Sequence, residues 1–127
     1  MFKEIIIIIV VVFLVVGLDI ITNKYTKDTV ESMSTELNTL KEYILKEDKQ
    51  KAEKELNKVK ENWEEKYKVL AFYIEHDELE KVKTELTELY ANFSVEEYNL
   101  CIQEIETMKF ILSHIQEKEE FHLRSIF

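Results

Sequence analysis

Three histidines, His76, His114 and His122, are the side chains of this sequence whose chemistry invites a test. Asp77 and Glu78 follow His76 directly, and Glu117 lies three residues beyond His114. Imidazoles and carboxylates together suit a divalent metal. In an up-down helical bundle the second and fourth helices run in the same direction. Their C-terminal ends, carrying His76 and His114, are then expected at one end of the molecule, with His122 in the vicinity. His-x-x-x-His spacing, which would fix two histidines on one helix, does not occur. Histidine near a helix C-terminus has an ordinary role, facing free carbonyls and the negative end of the dipole. His76, Asp77, His114 and His122 therefore stand only as candidate ligands, and neither metal nor cofactor is assigned.

The other reactive types point the same way. The carboxylates from Glu75 to Glu88 read as a solvated face, since paired acid and base groups need a cleft that perturbs them. Cys101 is the one cysteine. It has no partner for an intramolecular disulfide, and its apolar neighbours at helical spacing mark it as a small core residue. Trp63, Tyr67, Phe72 and Tyr73 crowd one segment and are expected to pack in the core. There is no Ser–His–Asp arrangement, Gly-rich phosphate loop or Cys/His motif. No catalytic residue is identified, and an enzyme is not expected.

The elements that must position these residues are helices. The chain has no proline and one glycine, Gly17, so it lacks the punctuation of hairpins and sheets. Apolar spacing then predicts the helices one by one. Val30, Met33, Leu37, Leu40 and Ile44 form a narrow stripe. A charged stretch follows, with Asp48 as the expected N-cap of the next helix. Its stripe is Ala52, Leu56, Val59, Trp63, Tyr67 and Ile74. Asp77 is a candidate cap for a third helix with Leu79, Val82, Leu86, Leu89 and Phe93. Ser94-Val-Glu-Glu97 has capping-box spacing and is expected to start the fourth. That helix carries the widest stripe, from Tyr98 through Cys101, Ile102, Ile105, Met108, Ile111 and Leu112 to Ile115. The apolar end, Leu123, Ile126 and Phe127, is expected to dock back on the bundle. The expected fold is all-α: an antiparallel up-down bundle of about four helices. A coiled-coil dimer is the alternative architecture, and a homo-oligomer stays open. The third helix is the shortest, so the first two are expected to project beyond it as a hairpin.

Ahead of the bundle, Ile5 to Leu18 is free of charge, and Asp19, Ile20 and Ile21 follow. Seventeen helical residues rise about 25 Å, a little less than a hydrocarbon core of about 30 Å. At roughly −0.3 to −0.6 kcal/mol for each Ile, Val, Leu or Phe, insertion outweighs one interfacial Asp. Residues 1–21 are thus expected to be a transmembrane signal anchor that meets lipid through residues 5–21, and residues 22–127 a helical domain. The segment after the apolar run has no small-residue cleavage pattern, so the anchor is expected to stay attached. Lys3 before the span nearly balances Lys24 and Lys27 after it. A short N-terminus opening such a run usually stays inside, which places the domain outside the cell membrane.

Charge narrows the partners. The net charge is −9, and from Glu75 onward thirteen acidic residues face five basic ones. Such a surface repels phosphate, so nucleic acid is excluded and anionic headgroups are poor partners for the C-terminal half.

The whole chain resembles domain of unknown function 4363, a family of small membrane-anchored proteins of Gram-positive bacteria. The resemblance rests on the apolar anchor running into a helix and on Asn62-Trp63-Glu-Glu-Lys-Tyr67 leading to Ile74-Glu-His76-Asp-Glu-Leu79. It rests also on Met108-Lys-Phe-Ile-Leu-Ser-His114-Ile115 before the terminal Ser125-Ile126-Phe127. Ser125 stands where the family pattern has Asn. The resemblance implies a membrane-tethered helical domain with no established activity, travelling with other small membrane proteins. The function expected from all of this is a non-enzymatic interaction module that binds or positions a partner membrane protein. The alternative is an extracytoplasmic sensor-like domain for a small ligand or cation.

Overall fold

A computed structural model describes residues 1–126, and Phe127 lies outside it. Four helices follow one another: α1 (Phe2–Leu45), α2 (Lys49–Leu70), α3 (His76–Ser94) and α4 (Tyr98–Ile126). No strand occurs among the described residues. α1 packs against α2 and α4, and α3 packs against α4, whereas α2 and α3 barely touch. The result is an antiparallel bundle with α1 and α4 as its central pair and an open seam between α2 and α3.

The stripes that define the helices are the core. Val30, Met33, Leu37, Leu40 and Ile44 are buried, as are Leu79, Val82, Leu86, Leu89 and Phe93. On α2 Ala52, Leu56, Val59 and Trp63 are buried, while Tyr67 pack against the core half-exposed, as does Ile74 beyond the helix. On α4 the buried line is Cys101, Ile105, Met108, Leu112 and Ile115, flanked by half-buried Tyr98, Ile102 and Ile111. Polar contacts fix the register. Lys41 Nζ meets Glu106 Oε1 at 2.9 Å between α1 and α4, and Asn62 Nδ2 donates to Glu36 Oε2 at 3.0 Å between α2 and α1.

α1 is 44 residues long, about 66 Å at 1.5 Å per residue, and it is unbroken from the apolar run into the bundle. Its N-terminal part is long and apolar enough to cross a membrane, and none of its most apolar window is buried. Shelter begins at Val16, Gly17 and Asp19, which are half-buried.

Of the three expected caps, one forms and two do not. Asp48 does cap α2, accepting from Lys51 N at 3.2 Å. Asp77 is not a cap: α3 already starts at His76, with Glu75 as the capping residue and no side-chain bond. The Ser94 box does not form either. Ser94 ends α3, its hydroxyl donates to Ala91 O at 2.7 Å, and α4 starts at Tyr98. The physical reason is a competing C-terminal motif. Glu96 turns left-handed at φ 62°, and Glu97 N donates to Asn92 O at 2.9 Å. Glu47 does the same after α1, at φ 59°, with Asp48 N bonded to Tyr43 O at 3.0 Å. Both are Schellman turns with glutamate in the place usually taken by glycine.

The expected projecting hairpin is also absent. Lys49 Nζ sits 2.6 Å from Glu96 Oε1, so the α1–α2 and α3–α4 connections lie at one level. The extra length of α4 is taken up at the opposite end, where it runs past the start of α3 and along α1 to Asp19. Leu123 on that extension is half-buried, in keeping with docking. The rest of the docking expectation concerns Phe127, outside the described residues, and the Ile126 side chain, which is likewise not described.

A left-handed non-glycine residue costs on the order of 1 kcal/mol, part of which glycine returns to unfolded-state entropy. Glu47→Gly should therefore raise stability by about 0.5 kcal/mol or more, read as a higher urea midpoint of the full chain in detergent. Glu96→Gly should gain less, because it also removes the Lys49 contact.

Candidate functional site

At the end of the bundle nearest the apolar run, the core stripes continue but their residues change character. On α4 the line Cys101, Ile105, Met108, Leu112, Ile115 proceeds at the same spacing to Glu119 and His122. On α1 the line Ile44, Leu40, Leu37, Met33, Val30 proceeds to Thr26, Thr22 and Asp19. These polar continuations meet in a cleft of about 410 Å³. Its wall includes Asp19, Thr22, Tyr73, Glu75, Glu78, Lys118, Glu119 and His122, with apolar Ile74, Ile115 and Phe121.

Tyr73 holds this end together. Its hydroxyl donates to Thr22 O at 3.1 Å and lies 2.7 Å from Thr26 Oγ1, pinning the α2–α3 turn onto α1. That bond also accounts for the polar Thr26 deep in the core. Burial pushes the Tyr73 hydroxyl above its ordinary pKa. Lys118 Nζ lies 3.3 Å from Glu75 Oε2 and 3.7 Å from Glu78 Oε1. Glu78 is only 8 % exposed, and its second oxygen, Oε2, is buried with no hydrogen-bond partner. Glu119 is pushed above the ordinary carboxylate range by burial, with Asp19 adding to the effect and His122 and Lys118 opposing it. Phe72, beside Tyr73, is 90 % exposed, which corrects the expectation that it packs in the core. Phe121 is exposed at the same end.

The structure does not bring the candidate metal ligands together. His76 is exposed, its Nε2 3.4 Å from Glu80 Oε1 on its own helix. Asp77 borders a shallow depression with Glu80, Lys81 and Glu85. His114 faces another with Glu117, Glu120 and Arg124. Among them only His122 reaches the cleft. No three His, Cys, Asp or Glu side chains converge on a common point among the described residues. Glu78, expected on a solvated face, is instead buried and lines the cleft. Asp19 and Glu119 carry no expected site role, because apolar periodicity ends where the stripes turn polar; for Glu119 the signal is its unbroken spacing with Ile115 and His122.

Two further features lie higher in the bundle. The open seam forms a groove of about 680 Å³ lined by Trp63, Tyr67, Leu86 and Tyr90, with Lys60, Lys68 and Lys83 around them. The Tyr90 hydroxyl donates to Asn57 Oδ1 at 2.6 Å, one of the few ties across the seam. On the α3–α4 side, Glu104 is buried and accepts from Asn92 Nδ2, while its other oxygen has no partner. Burial raises its pKa, and Glu88 and Glu85 add to the rise. Cys101 beside it is a core residue whose thiol burial pushes up to about 11, which leaves it unreactive near neutral pH.

With this geometry in view, the chain matches the family described as Domain of unknown function (DUF4363) over residues 20–126. It belongs to that family. The match begins at the end of the apolar run and takes in the seam, the cleft apart from Asp19, and all four bundle helices except the N-terminal part of α1. No match was found among curated proteins or among solved structures.

Two predictions follow from these polar contacts. Tyr73→Phe removes the hydroxyl that satisfies Thr22 O and Thr26, and should cost about 1 kcal/mol, measured as a lowered urea midpoint. The pH dependence follows from Glu104, Glu119 and Glu85, all with raised pKa. The folded state binds their protons more tightly than the unfolded state. Their destabilisation is complete above the raised pKa and is relieved as pH falls toward the ordinary carboxylate value. Glu96 and Glu106 are lowered by Lys49 and Lys41, so the stability they add is lost only below that value. Melting temperature should therefore rise from pH 7 to about 5 and fall again below about 4. Glu104→Gln should raise it at pH 7 and flatten the slope.

Proposed function

We propose that this chain is a non-enzymatic, single-pass membrane module whose helical bundle binds or positions a partner membrane protein, with the bundle on the extracytoplasmic side. The observation that carries the reading is the continuity of α1. A helix that is apolar and unburied at its N-terminal end and core-forming at its C-terminal end holds the bundle in one pose above a bilayer. A merely flexible tether would not need this. The seam between α2 and α3 supplies a surface for the partner. It presents Trp63, Tyr67 and Tyr90, side-chain types enriched in binding hot spots, and three lysines on a chain of net charge −9. An acidic, amphipathic helix fits such a groove by shape and charge.

The alternative, a sensor-like domain for a small ligand, draws on the cleft beside Asp19. Its wall of carboxylates favours a cationic ligand over an anionic one.

Photo-crosslinking in native membranes separates these readings. A crosslinking residue at Thr87, in the seam, should give a reproducible adduct with another membrane protein, and one at Gln103 on the far side of α4 should not. Equal or absent adducts from the two positions would remove the interaction reading. Orientation is checked by cysteine accessibility at an engineered surface position, on Cys101→Ala background, with a membrane-impermeant reagent.

A further inference from the structure

We propose that the cleft at the foot of the bundle binds the headgroup of a zwitterionic aminophospholipid. The ammonium of a phosphoethanolamine group would sit among Asp19, Glu78 and Glu119, and its phosphate would meet Lys118. The inference rests on the anchoring part of the reading above and not on the partner protein.

Height is the first argument. The charge-free run ends at Leu18, and Asp19, the next residue, lies in the cleft wall. With residues 5–21 across the bilayer, the cleft falls in the headgroup layer. Exposed Phe72 and Phe121 stand at the same end and offer apolar surface there.

Charge is the second. Asp19, Glu75, Glu78 and Glu119 face Lys118 and His122, so the cleft favours a cation. A wholly anionic headgroup is repelled. A bare metal ion is poorly served, because no three ligating side chains converge among the described residues, and the space of about 410 Å³ is that of a polyatomic group.

The buried Glu78 is the third and most specific. A nine-tenths buried carboxylate with an unpartnered oxygen is costly unless a donor reaches it. Lys118 stands at 3.7 Å from the other oxygen and is shared with Glu75. A zwitterion can exchange partners here: its ammonium donates to the Glu78 carboxylate in place of Lys118, and its phosphate takes the Lys118 ammonium. A primary ammonium has three N–H donors for this purpose. A quaternary choline has none and requires an aromatic cage; among the described residues Tyr73 and Phe121 are the phenyl rings in the cleft wall, and the Tyr73 hydroxyl is tied to α1.

The test uses the full chain reconstituted in nanodiscs of equal phosphatidylethanolamine, phosphatidylcholine and phosphatidylglycerol. Lipid retained after transfer to detergent is read by native mass spectrometry. Phosphatidylethanolamine should be retained about tenfold over either of the others, equivalent to about 1.4 kcal/mol. Glu78→Gln and, separately, Glu119→Gln should reduce that preference several-fold, while Glu104→Gln, higher in the bundle, leaves it intact. Using two cleft variants keeps the test decisive if one fails to fold. Soluble phosphoethanolamine added in detergent distinguishes the sources. A rise in melting temperature would show that the headgroup suffices, and no rise alongside retained selectivity would assign the site to intact lipid. Equal retention of the three lipids, or an unchanged preference in both cleft variants, would overturn the proposal. If the chain still resists carbonate extraction from membranes, that failure leaves the anchored module standing; if carbonate releases it, both fall.

Discussion

The backbone of α1 is the constraint on which the other elements depend. It runs from Phe2 to Leu45 as one helix, with no proline and a lone Gly17 that leaves the hydrogen-bond ladder unbroken. In a continuous helix the azimuth of every residue is set by the 3.6 period, so the apolar run and the core stripe cannot rotate independently. Asp19 therefore lies on the same line as Thr26, Val30, Met33 and Leu37, facing the bundle. The charge that closes the apolar run is half-buried against the bundle.

α4 answers α1 along its length. Its buried line keeps the spacing of the core beyond Ile115 but changes chemistry, to Glu119 and His122. A core that stayed apolar there would run without a break into the apolar segment of α1. Polar residues at core positions end the dry packing at a defined height and leave a cleft. The Tyr73 hydroxyl, bonded to Thr22 and beside Thr26, closes the other side of that boundary. Foot and core are thus one helical register with two compositions.

What was legible in the sequence follows the same division. The stripe of α1 from Val30 to Ile44 and that of α3 from Leu79 to Phe93 could be read residue by residue, because hydrophobic burial imposes its period on the chain. The cleft was not legible by that means, since Asp19 and Glu119 carry the period in polar side chains and Glu78 lies one position off the stripe that starts at Leu79. The capping of α4 was misread for a different reason. Ser94 and Glu97 have the right spacing, but the left-handed turn at Glu96 ends α3 first, and a short motif cannot say which of two competing turns forms. Phe72 shows the limit of composition: an aromatic residue among aromatic residues was assigned to the core, yet its position on a turn points it outward.

The open seam is a consequence of how the helices are shared out. α2 is held by α1 and α3 by α4, so neither relies on the other for burial of its stripe. Trp63 and Tyr90 fill part of the space between them, and the Tyr90 hydroxyl spans it to Asn57. Separating α2 from α3 would thus break few contacts and expose little core, whereas separating α1 from α4 would dismantle the bundle. Stability of this kind is uneven by construction, with a rigid central pair and a side that yields at low cost. The yielding side carries the lysines and aromatics, and the rigid pair continues to the foot, where geometry must be held for the carboxylates to stay together. The seam and the foot meet on α3, which supplies Leu86 and Tyr90 to one and Glu78 to the other.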